Sequence, residues 1–364
     1  MNRKRKILIA LSGGGTGGPV VPLLSVARVL AREHPEVEFI FFGTADGPEV
    51  SLVENETKNF SIKYLKISSG KLRRYFSWRN FFDIFSIVFA FGQSFYYLIK
   101  YRPRVLLSVG AFVAVPPACA AWLLRIPVFM HQQDFRPGLA NQLIAPLASL
   151  KTVAFEKSVA DYSRAQWIGN PADDEELSIA VRGTDAICKK YHLNKKRPVI
   201  LVTGGGTGAD FLNNLVVSSL PKLSDFQVIH LSGEGKERAK NSEAYQSYGF
   251  LPHSEIIGLM AVSDLVISRC GLSTLTEISL LAKPAILVPM PNSHQEDNAK
   301  IFSEAAFVLD QKSLTVDNFV SHVHQILNDK AELVRMSSAI KKIVKPGAAN
   351  FLADKIYEYS GKKS

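Results

Sequence analysis

The chain has 364 residues, of which 47% are hydrophobic and 21% are charged, a composition that excludes intrinsic disorder and suffices for two ordinary hydrophobic cores. Its formal net charge of +10 at pH 7 predicts an anionic partner, such as a phosphorylated small molecule, a nucleic acid or an acidic membrane. Cys119, Cys188 and Cys270 are far apart, which does not favour disulfides. The basic first residues are followed by an apolar run that is too short for a signal peptide. We therefore expect a reducing, cytoplasmic setting.

Short β-branched or aromatic runs alternate with longer helical patterns along the chain, which is typical of parallel α/β units. The strand series restarts at Val199, after the segment GNPADDEELS, in which Asn-Pro interrupts regular structure and acidic residues indicate a surface connection. The sequence therefore predicts two α/β domains with a boundary near Asn170. The predicted strands are 6–11, 37–42, 105–109, 128–130, 152–155, 199–202, 227–231, 265–268 and 285–288.

Each predicted half opens with a strand, a glycine-rich loop and a helix. The loop SGGGTGGPVVP starts at Ser12, and its near repeat TGGGTGADFLN starts at Thr203. Glycines allow close backbone approach, and the following helix presents N–H groups and a positive dipole end, so both loops predict phosphate binding. Close packing of helix on strand is the structural alternative for each loop. A nicotinamide dinucleotide is disfavoured, because Asp46 follows the second strand only after a turn.

The second half carries a further polar cluster in the segment SRCGLSTLTE. Arg269 and the helix start after it can hold a diphosphate, and Glu277 can accept hydrogen bonds from two ribose hydroxyls. The alternative is a capping box, in which Ser273 or Thr274 caps the helix and Glu277 is the reciprocal residue. The polar segment HQEDNA follows the next strand, which is where open α/β sheets bind ligands.

Seven motifs in one order resemble the MurG family, the transferases that move N-acetylglucosamine from UDP-N-acetylglucosamine to lipid-linked N-acetylmuramyl-pentapeptide, lipid I to lipid II, in peptidoglycan synthesis. The resemblance implies two Rossmann-like domains facing across a cleft, the GT-B glycosyltransferase fold. It implies an acceptor- and membrane-facing domain of residues 1–169 with a returning helix at 346–364, and a UDP-sugar domain of residues 170–345. The alternative is that the C-terminal helix packs on the second domain, which directly precedes it in the sequence. The motifs are GGTGG (14–18), SVGAFVAVP (108–116), PGLAN (137–141), GNP (169–171), the second glycine loop, SRCGLSTLTE (268–277) and HQEDNA (294–299).

The resemblance also implies roles for individual residues. Glu277 would hold the ribose, the helix start the diphosphate, and Gln295 the sugar hydroxyls, with no metal cofactor. The reaction would be one inverting displacement, in which a base deprotonates the acceptor 4-hydroxyl and Arg269 with the helix dipole stabilises departing UDP. The implied donor-binding residues are Gly205, Gly206, Arg269, Gly271, Ser273, Thr274, Glu277, Gln295 and Asn298. The implied acceptor-binding residues are Gly14, Gly15, Thr16, Gly17, Gly18 and Asn141.

Several positions depart from the family pattern. The family's histidine after GGTGG is Pro19 here, which cannot carry a proton. The family's HEQN is HQQD, with Gln132 replacing a glutamate and Asp134 an asparagine. Asp134 is therefore the first candidate for the catalytic base and His131 the second, both expected beyond the strand end, although a structural histidine bonded to backbone is the alternative for His131. Changes at Asp173 and Gly206 and a short PMPNSHQ loop can alter donor preference.

The sequence offers no D-x-D pair placed to chelate a metal beside a nucleotide. Asp173 and Asp174 are interpreted as linker residues. His322 and His324 have a spacing of two in a helical pattern, which puts the rings on different faces. All four are expected to be solvated surface residues.

The charge is concentrated in a basic and aromatic stretch between Lys58 and Arg104. Such a rim of cations around aromatic residues predicts peripheral docking to an anionic membrane. A spanning helix is disfavoured by Asp83, Gly92 and Gln93 within it, an internal core helix is a further alternative, and nucleic acid is disfavoured because basic and aromatic residues do not alternate. The basic residues within the stretch are Lys63, Lys66, Lys71, Arg73, Arg74, Arg79, Lys100 and Arg102.

Three alternatives to the lipid I transferase remain open. Another polyprenyl-diphosphate sugar can serve as acceptor under the same charge and loop arguments. A UDP-sugar epimerase shares the two-domain architecture but needs no membrane patch. A noncatalytic subunit that binds UDP-sugar or lipid is suggested by Pro19.

Overall fold

The computed structural model describes residues 6–15, 17–47, 49–68, 79–205, 209–236 and 239–361. The chain divides into two compact units, Met1–Asp173 with Lys345–Ser364 and Asp174–Val344. The domain bounds predicted from sequence differ from these by four residues at the first boundary and by one at the second. Each unit contains one parallel sheet with helices packed on it.

The bounds of the elements follow the chain order. The strands are β1 (Ile7–Ser12), β2 (Val37–Gly43), β3 (Ile62–Lys66), β4 (Leu106–Ser108), β5 (Val128–Gln132), β6 (Leu150–Val153), β7 (Gln166–Trp167), β8 (Val199–Thr203), β9 (Gln227–Leu231), β10 (Tyr245–Tyr248), β11 (Leu265–Ser268), β12 (Ala285–Leu287) and β13 (Phe307–Val308). The helices are α1 (Val20–Glu33), α2 (Glu49–Glu56), α3 (Arg79–Tyr101), α4 (Val115–Leu123), α5 (Leu139–Ile144), α6 (Asp174–Arg182), α7 (Thr184–Lys190), α8 (Asp210–Ser219), α9 (His253–Val262), α10 (Leu272–Leu280), α11 (His294–Phe302), α12 (Val316–Asn328), α13 (Lys330–Ile340) and α14 (Ala348–Gly361).

The first unit has a seven-stranded sheet in the order β3-β2-β1-β4-β5-β6-β7. Its central strands are apolar on both faces, as in β2, where Phe39, Ile40, Phe41 and Phe42 are all buried, because helices cover both sides of a parallel sheet. β2 and β3 extend the sheet on one side of β1, and β4 to β7 extend it on the other, so the order of the strands changes direction between β1 and β4. In open α/β sheets, ligands bind at the carboxyl ends of the strands at such a switch point.

The last helix, α14, completes the core of the first unit. Its buried face, which includes Leu352 and Ile356, joins the core cluster of α1 and the sheet. The ring of Tyr357 stacks on His34 at 3.4 Å between centroids. The C-terminal helix thus packs on the first unit, as the resemblance implies.

The second unit has a six-stranded sheet in the order β10-β9-β8-β11-β12-β13. β8 and β11 are neighbours in parallel register, from Leu265 beside Ile200 to Ser268 beside Thr203. The switch point of this sheet lies between them. The second glycine loop and the loop at Arg269 therefore leave the sheet side by side.

The nine strands predicted from sequence are all present, with ends that shift by up to two residues. The prediction missed β3, β7, β10 and β13. Two of the five residues of β3 are lysines, two of the four residues of β10 are Gln and Ser, and β7 and β13 have only two residues each. Among the described residues, no helix is long and apolar enough to cross a membrane.

Candidate functional site

The first glycine loop leaves β1 at the switch point of the first sheet. Gly15 has a φ of +79°, a conformation that residues with a Cβ rarely adopt. Its N–H donates to Oε2 of Glu49 over 3.1 Å, while Oε1 accepts from the N and Oγ1 of Thr44 at 2.9 and 2.6 Å. Glu49 is fully buried, so one carboxylate fixes the loop to the end of β2.

Sequence reasoning missed Glu49, for which the available signal was a glutamate in a turn-rich stretch directly after a buried strand. Of the predicted acceptor-binding glycines, those at 14, 15, 17 and 18 lie in this loop, and Thr16 lies outside the described residues. α1 begins after Pro19, and no side chain caps it. The loop therefore leads into a helix N-terminus, an arrangement that suits phosphate.

Gln132 organises the turn that follows β5. Its Nε2 donates to the carbonyl oxygens of Asp134 at 2.7 Å and Arg136 at 3.0 Å. Its Oε1 accepts from Asn141 Nδ2 at 2.6 Å and from the Tyr162 hydroxyl at 3.2 Å. A glutamate cannot donate to two carbonyls, so this turn explains the amide at position 132.

Asn141 is buried beside this turn. Its Nδ2 also lies 3.3 Å from the carbonyl oxygen of His131. Its Oδ1 is buried without a hydrogen-bond partner among the residues that the structure describes. It lies next to Gly110, which has a φ of +97°, in the loop that leaves β4 at the same switch point. A buried unpaired oxygen is costly, so this position favours a ligand with a hydrogen-bond donor.

The two candidate bases lie in different surroundings. Asp134 is two residues beyond β5 and is partly exposed. His131 was expected beyond the strand end, and this was wrong: β5 continues to Gln132, which puts the imidazole inside the sheet and fully buried. Nδ1 lies 3.0 Å from Thr152 Oγ1, and Nε2 lies 3.3 Å from Asn170 Oδ1.

The electrostatics of His131 follow from this burial. Burial lowers its pKa to about 4, although the hydrogen bond with Asn170 acts in the opposite direction. The ring is therefore neutral at pH 7. Its hydrogen-bond partners are side chains, whereas the alternative of a structural histidine predicted a bond to the backbone.

At the switch point of the second sheet, α10 begins directly after β11. Gly271 is the N-cap and no side chain caps the helix, so the capping-box interpretation was wrong. Ser273 and Thr274 lie in the first turn, two and three residues beyond the N-cap position. The first turn thus presents backbone N–H groups and two hydroxyl side chains at the carboxyl end of β11.

Glu277 is buried one turn further along α10 and pairs with a histidine that sequence reasoning missed. Its Oε1 lies 2.8 Å from Nε2 of His253, the first residue of α9. Nδ1 of the same ring lies 3.2 Å from Oε1 of Glu176 in α6. One imidazole therefore bridges two carboxylates and joins three helices of the second unit.

The two carboxylates decide the charge of this histidine. Burial by itself lowers the pKa of His253, but the negative charge of Glu277 and hydrogen bonds to both carboxylates raise it to about 10. The imidazolium form is therefore present at pH 7. A cation is unfavourable at a helix N-terminus, so the carboxylates also offset the dipole of α9.

This pKa predicts a pH-dependent stability. Because the pKa rises from about 6.5 to about 10 on folding, His253 contributes its full stabilisation below about pH 6.5 and loses it as the pH rises through 10. We expect the melting temperature of the wild type to fall more steeply than that of His253→Gln between these pH values. Thermal unfolding of both proteins across this range measures the difference, and parallel curves would contradict the assignment.

Three further predicted donor residues brace the loops around β11 and β12. Nη1 of Arg269 donates to the carbonyl oxygens of Val288 and Pro289 at 3.0 and 3.2 Å. Oε1 of Gln295 accepts from the backbone N–H groups of Cys270 and Met290 at 3.2 and 3.0 Å.

Asn298 is fully buried, and its Nδ2 donates to the Cys270 carbonyl over 3.2 Å.

Within the part of the chain that the structure describes, Nε2 of Gln295 has no protein partner and is the group left for a ligand.

The structure brings together Arg269, Gly271, Ser273, Thr274, Glu277, Gln295 and Asn298 at the carboxyl ends of β11 and β12. Gly205 lies beside them after β8, with a φ of +84°, and its N–H donates to Thr203 Oγ1 over 3.2 Å. Gly206 lies outside the described residues. Sequence reasoning thus found this cluster, but it did not predict that Arg269 braces the loop after β12.

Two expectations about surface residues need correction. Asp173 is buried and pairs with Arg32 of α1 at 3.1 Å, so it is a structural anchor of the first unit and not a solvated linker residue. His322 and His324 are both partly buried. The ring of His322 packs on Phe307, with 5.7 Å between centroids, and Nε2 of His324 lies 3.0 Å from the carbonyl oxygen of Lys222. No group of three or more metal-ligating side chains occurs among the described residues.

A hydrophobic patch lies on α3 and α4 of the first unit, and we call it the α3–α4 patch. Lysines border it: Nζ of Lys100 is 5.5 Å from the ring centroid of Tyr96, and Nζ of Lys63 is 5.1 Å from that of Tyr101. Residues 71, 73 and 74 of the predicted basic rim lie outside the described residues. The patch consists of Val88, Phe89, Tyr96, Ile99, Trp122 and Leu123, all about half exposed or more.

Comparison with known proteins matches each unit to a domain of one family. Residues 9–150 match the glycosyltransferase family 28 N-terminal domain, and residues 199–351 match the glycosyltransferase family 28 C-terminal domain. A UDP-N-acetylglucosamine–N-acetylmuramyl-(pentapeptide) pyrophosphoryl-undecaprenol N-acetylglucosamine transferase of Legionella pneumophila is 35% identical over 92% of this chain and 95% of its own. A Bacillus cereus transferase of the same name, numbered 2, is 33% identical over 92% and 94%.

Solved structures share the fold at lower identity. MurG of Acinetobacter baumannii superposes with a TM-score of 0.72 at 23% identity, covering 97% of this chain and 100% of that one. A UDP-GlcNAc 2-epimerase from Neisseria meningitidis superposes with a TM-score of 0.67 at 12% identity, covering 97% and 100%. The GT-B fold class predicted from sequence is confirmed. The chain belongs to glycosyltransferase family 28 and, within it, to the MurG family.

Proposed function

We propose that the protein is an inverting hexosyltransferase that moves N-acetylglucosamine from UDP-N-acetylglucosamine to the 4-hydroxyl of lipid-linked N-acetylmuramyl-pentapeptide, the lipid I to lipid II step of peptidoglycan synthesis. The observation that carries the proposal is the identity of 33–35% over 92% of the chain with transferases named for this reaction. Each unit has a glycine-rich loop and a helix N-terminus at the switch point of its sheet, which suits a donor and an acceptor that both carry a diphosphate.

The second unit supplies the donor site in this proposal. The diphosphate binds at the first turn of α10, where N–H groups and the helix dipole favour negative charge. Glu277 accepts hydrogen bonds from the ribose hydroxyls, and Gln295 donates through Nε2 to the sugar. Arg269 contributes positive charge nearby and holds the β12 loop through its two carbonyl contacts.

The first unit supplies the acceptor site. The first glycine loop and α1 receive the lipid diphosphate, and Asn141 Oδ1 accepts from an acceptor hydroxyl or amide N–H. Asp134 takes the proton of the 4-hydroxyl as that oxygen bonds to the anomeric carbon, and the bond from this carbon to the UDP oxygen breaks. His131, the second candidate base, has both ring nitrogens engaged, which favours Asp134.

A coupled assay tests the function. Purified protein with UDP-N-acetylglucosamine and a soluble lipid I analogue should release UDP in proportion to product, and release should depend on the acceptor. Conversion of UDP-N-acetylglucosamine to its 2-epimer without acceptor would instead favour the epimerase. Nucleotide binding without either reaction would favour a noncatalytic subunit. A stronger reaction with another polyprenyl-diphosphate sugar would reassign the acceptor.

The α3–α4 patch supports peripheral docking at the cytoplasmic face of an anionic membrane. Half-exposed aromatic rings can enter the interface between headgroups and acyl chains, and the lysines beside them face anionic headgroups, each worth about 1 kcal/mol. A lipid-linked acceptor requires such docking, whereas a soluble sugar nucleotide alone does not.

Replacing both Phe89 and Trp122 with serine should weaken binding to vesicles of anionic phospholipid by about tenfold or more, because two exposed rings no longer enter the interface. Co-sedimentation with the vesicles measures this loss. Val334→Ser removes an equally exposed apolar side chain from α13 of the second unit and is the matched control. Equal retention by all three proteins would exclude the patch as the docking surface.

A further inference from the structure

The imidazole of His253 lies between two carboxylates of the second unit. Its ring is held from both sides, by Glu277 of α10 at 2.8 Å and by Glu176 of α6 at 3.2 Å. Glu277 itself is buried, with 6% of its surface exposed. Oε1 of Glu277 is therefore committed to the histidine. Among the described residues, no protein group binds Oε2.

We propose that His253 is a positioning residue that fixes the Glu277 carboxylate in the orientation in which Oε2 receives the ribose hydroxyls of the donor nucleotide. The inference rests on the proposed function, because it takes the ribose as the partner of Glu277. Both ring nitrogens of His253 face carboxylates, so its effect on the nucleotide passes through Glu277. His253 acts by restricting rotation of the carboxylate. Because that side chain is already ordered, ligand binding no longer carries the entropic cost of ordering it.

The charge of the pair supports this arrangement. A buried charged group is costly unless an opposite charge pairs with it. His253 supplies the cation within hydrogen-bond distance, and its raised pKa keeps it charged through the neutral range. The charged groups that face it are Glu176 from α6 and Glu277 from α10. Glu255 on its own helix is paired elsewhere, with Lys190 of α7 at 2.7 Å.

The experiment compares two probes, UDP and 2′,3′-dideoxy-UDP, which differ only in the ribose hydroxyls. In the wild type, UDP should bind more tightly than the dideoxy probe. In His253→Gln, UDP affinity should fall by about tenfold and dideoxy-UDP affinity should hardly change, so the preference for the hydroxyls is lost. A purely structural role of His253 would weaken both probes equally. Titration calorimetry at pH 7.5 measures all four affinities.

A second readout uses pH. The preference of the wild type for UDP over dideoxy-UDP should decline as the pH approaches 10 and His253 loses its proton, whereas His253→Gln should show no such change. Both probes carry the same uracil, so its own titration cancels in the ratio. His192→Asn is the matched control, since this histidine is exposed and its φ of +54° suits asparagine.

The outcomes separate the inference from the function on which it rests. If the wild type fails to bind UDP, or binds both probes equally, the proposed ribose contact of Glu277 is wrong. If the wild type distinguishes the probes and His253→Gln distinguishes them equally well, the ribose contact stands and the positioning role of His253 is overturned.

Discussion

Asp134→Asn should lower kcat by about 10²- to 10⁴-fold, the usual contribution of a positioned general base, while the KM for UDP-N-acetylglucosamine stays near its wild-type value. Asparagine has nearly the same shape but cannot accept the proton of the acceptor 4-hydroxyl. The turn itself should persist, because Gln132 binds the backbone carbonyl of residue 134 and not its side chain. Steady-state rates with a soluble lipid I analogue measure the change.

The control for this prediction is Asp161→Asn, which changes an exposed aspartate of the same unit and should leave kcat unchanged. A normal turnover rate of Asp134→Asn would remove Asp134 as the base. His131→Gln then becomes the deciding variant, although its interpretation requires a melting curve, because the imidazole is buried between Thr152 and Asn170. A loss of kcat without loss of stability would show that His131 contributes to the reaction.

The second large effect concerns nucleotide affinity. Glu277→Gln should weaken UDP binding by about ten- to hundredfold, since hydrogen bonds to a charged group contribute about 1.5–3 kcal/mol. The glutamine also leaves His253 with one carboxylate in place of two, so we expect a lower melting temperature as well. Titration calorimetry and thermal unfolding separate the two effects.

Glu255→Gln is the matched control for this loss. Glu255 is another carboxylate of the second unit that pairs with a cation, Lys190, and bonds to Tyr191, so its loss also removes an ion pair. It should leave UDP affinity unchanged. If Glu277→Gln lowers only the melting temperature, as Glu255→Gln does, then Glu277 has a structural role and does not bind the ribose.

The sequence predicted the sheets well because buried parallel strands are continuous apolar runs. β9 and β11 have the predicted bounds, Gln227–Leu231 and Leu265–Ser268. The sequence failed where a polar residue continues a strand. β5 includes His131 and Gln132. The burial of the His131 side chain could not be recognised without knowledge of Thr152 and Asn170, which are distant in sequence.

The candidate site was predictable in its position but not in its internal contacts. The loops and polar residues around α10 follow from the motif order. The pairing of His253 with Glu277 and Glu176 does not, since these partners are 24 and 77 residues away in sequence. The capping-box error has a similar origin: whether Gly271 or Ser273 begins the helix depends on the end of β11, which a motif of hydroxyl and carboxylate residues does not fix.

The packing of α14 has a consequence for biosynthesis. Leu352 and Ile356 complete the core of the first unit, whose strand β1 is synthesised before the whole of the second unit. The second unit is continuous from Asp174 to Val344 and can fold as soon as it leaves the ribosome, since domains generally fold as units during synthesis. The first unit is therefore completed after the second, and nascent or truncated chains that end before residue 348 expose the apolar surface that α14 covers.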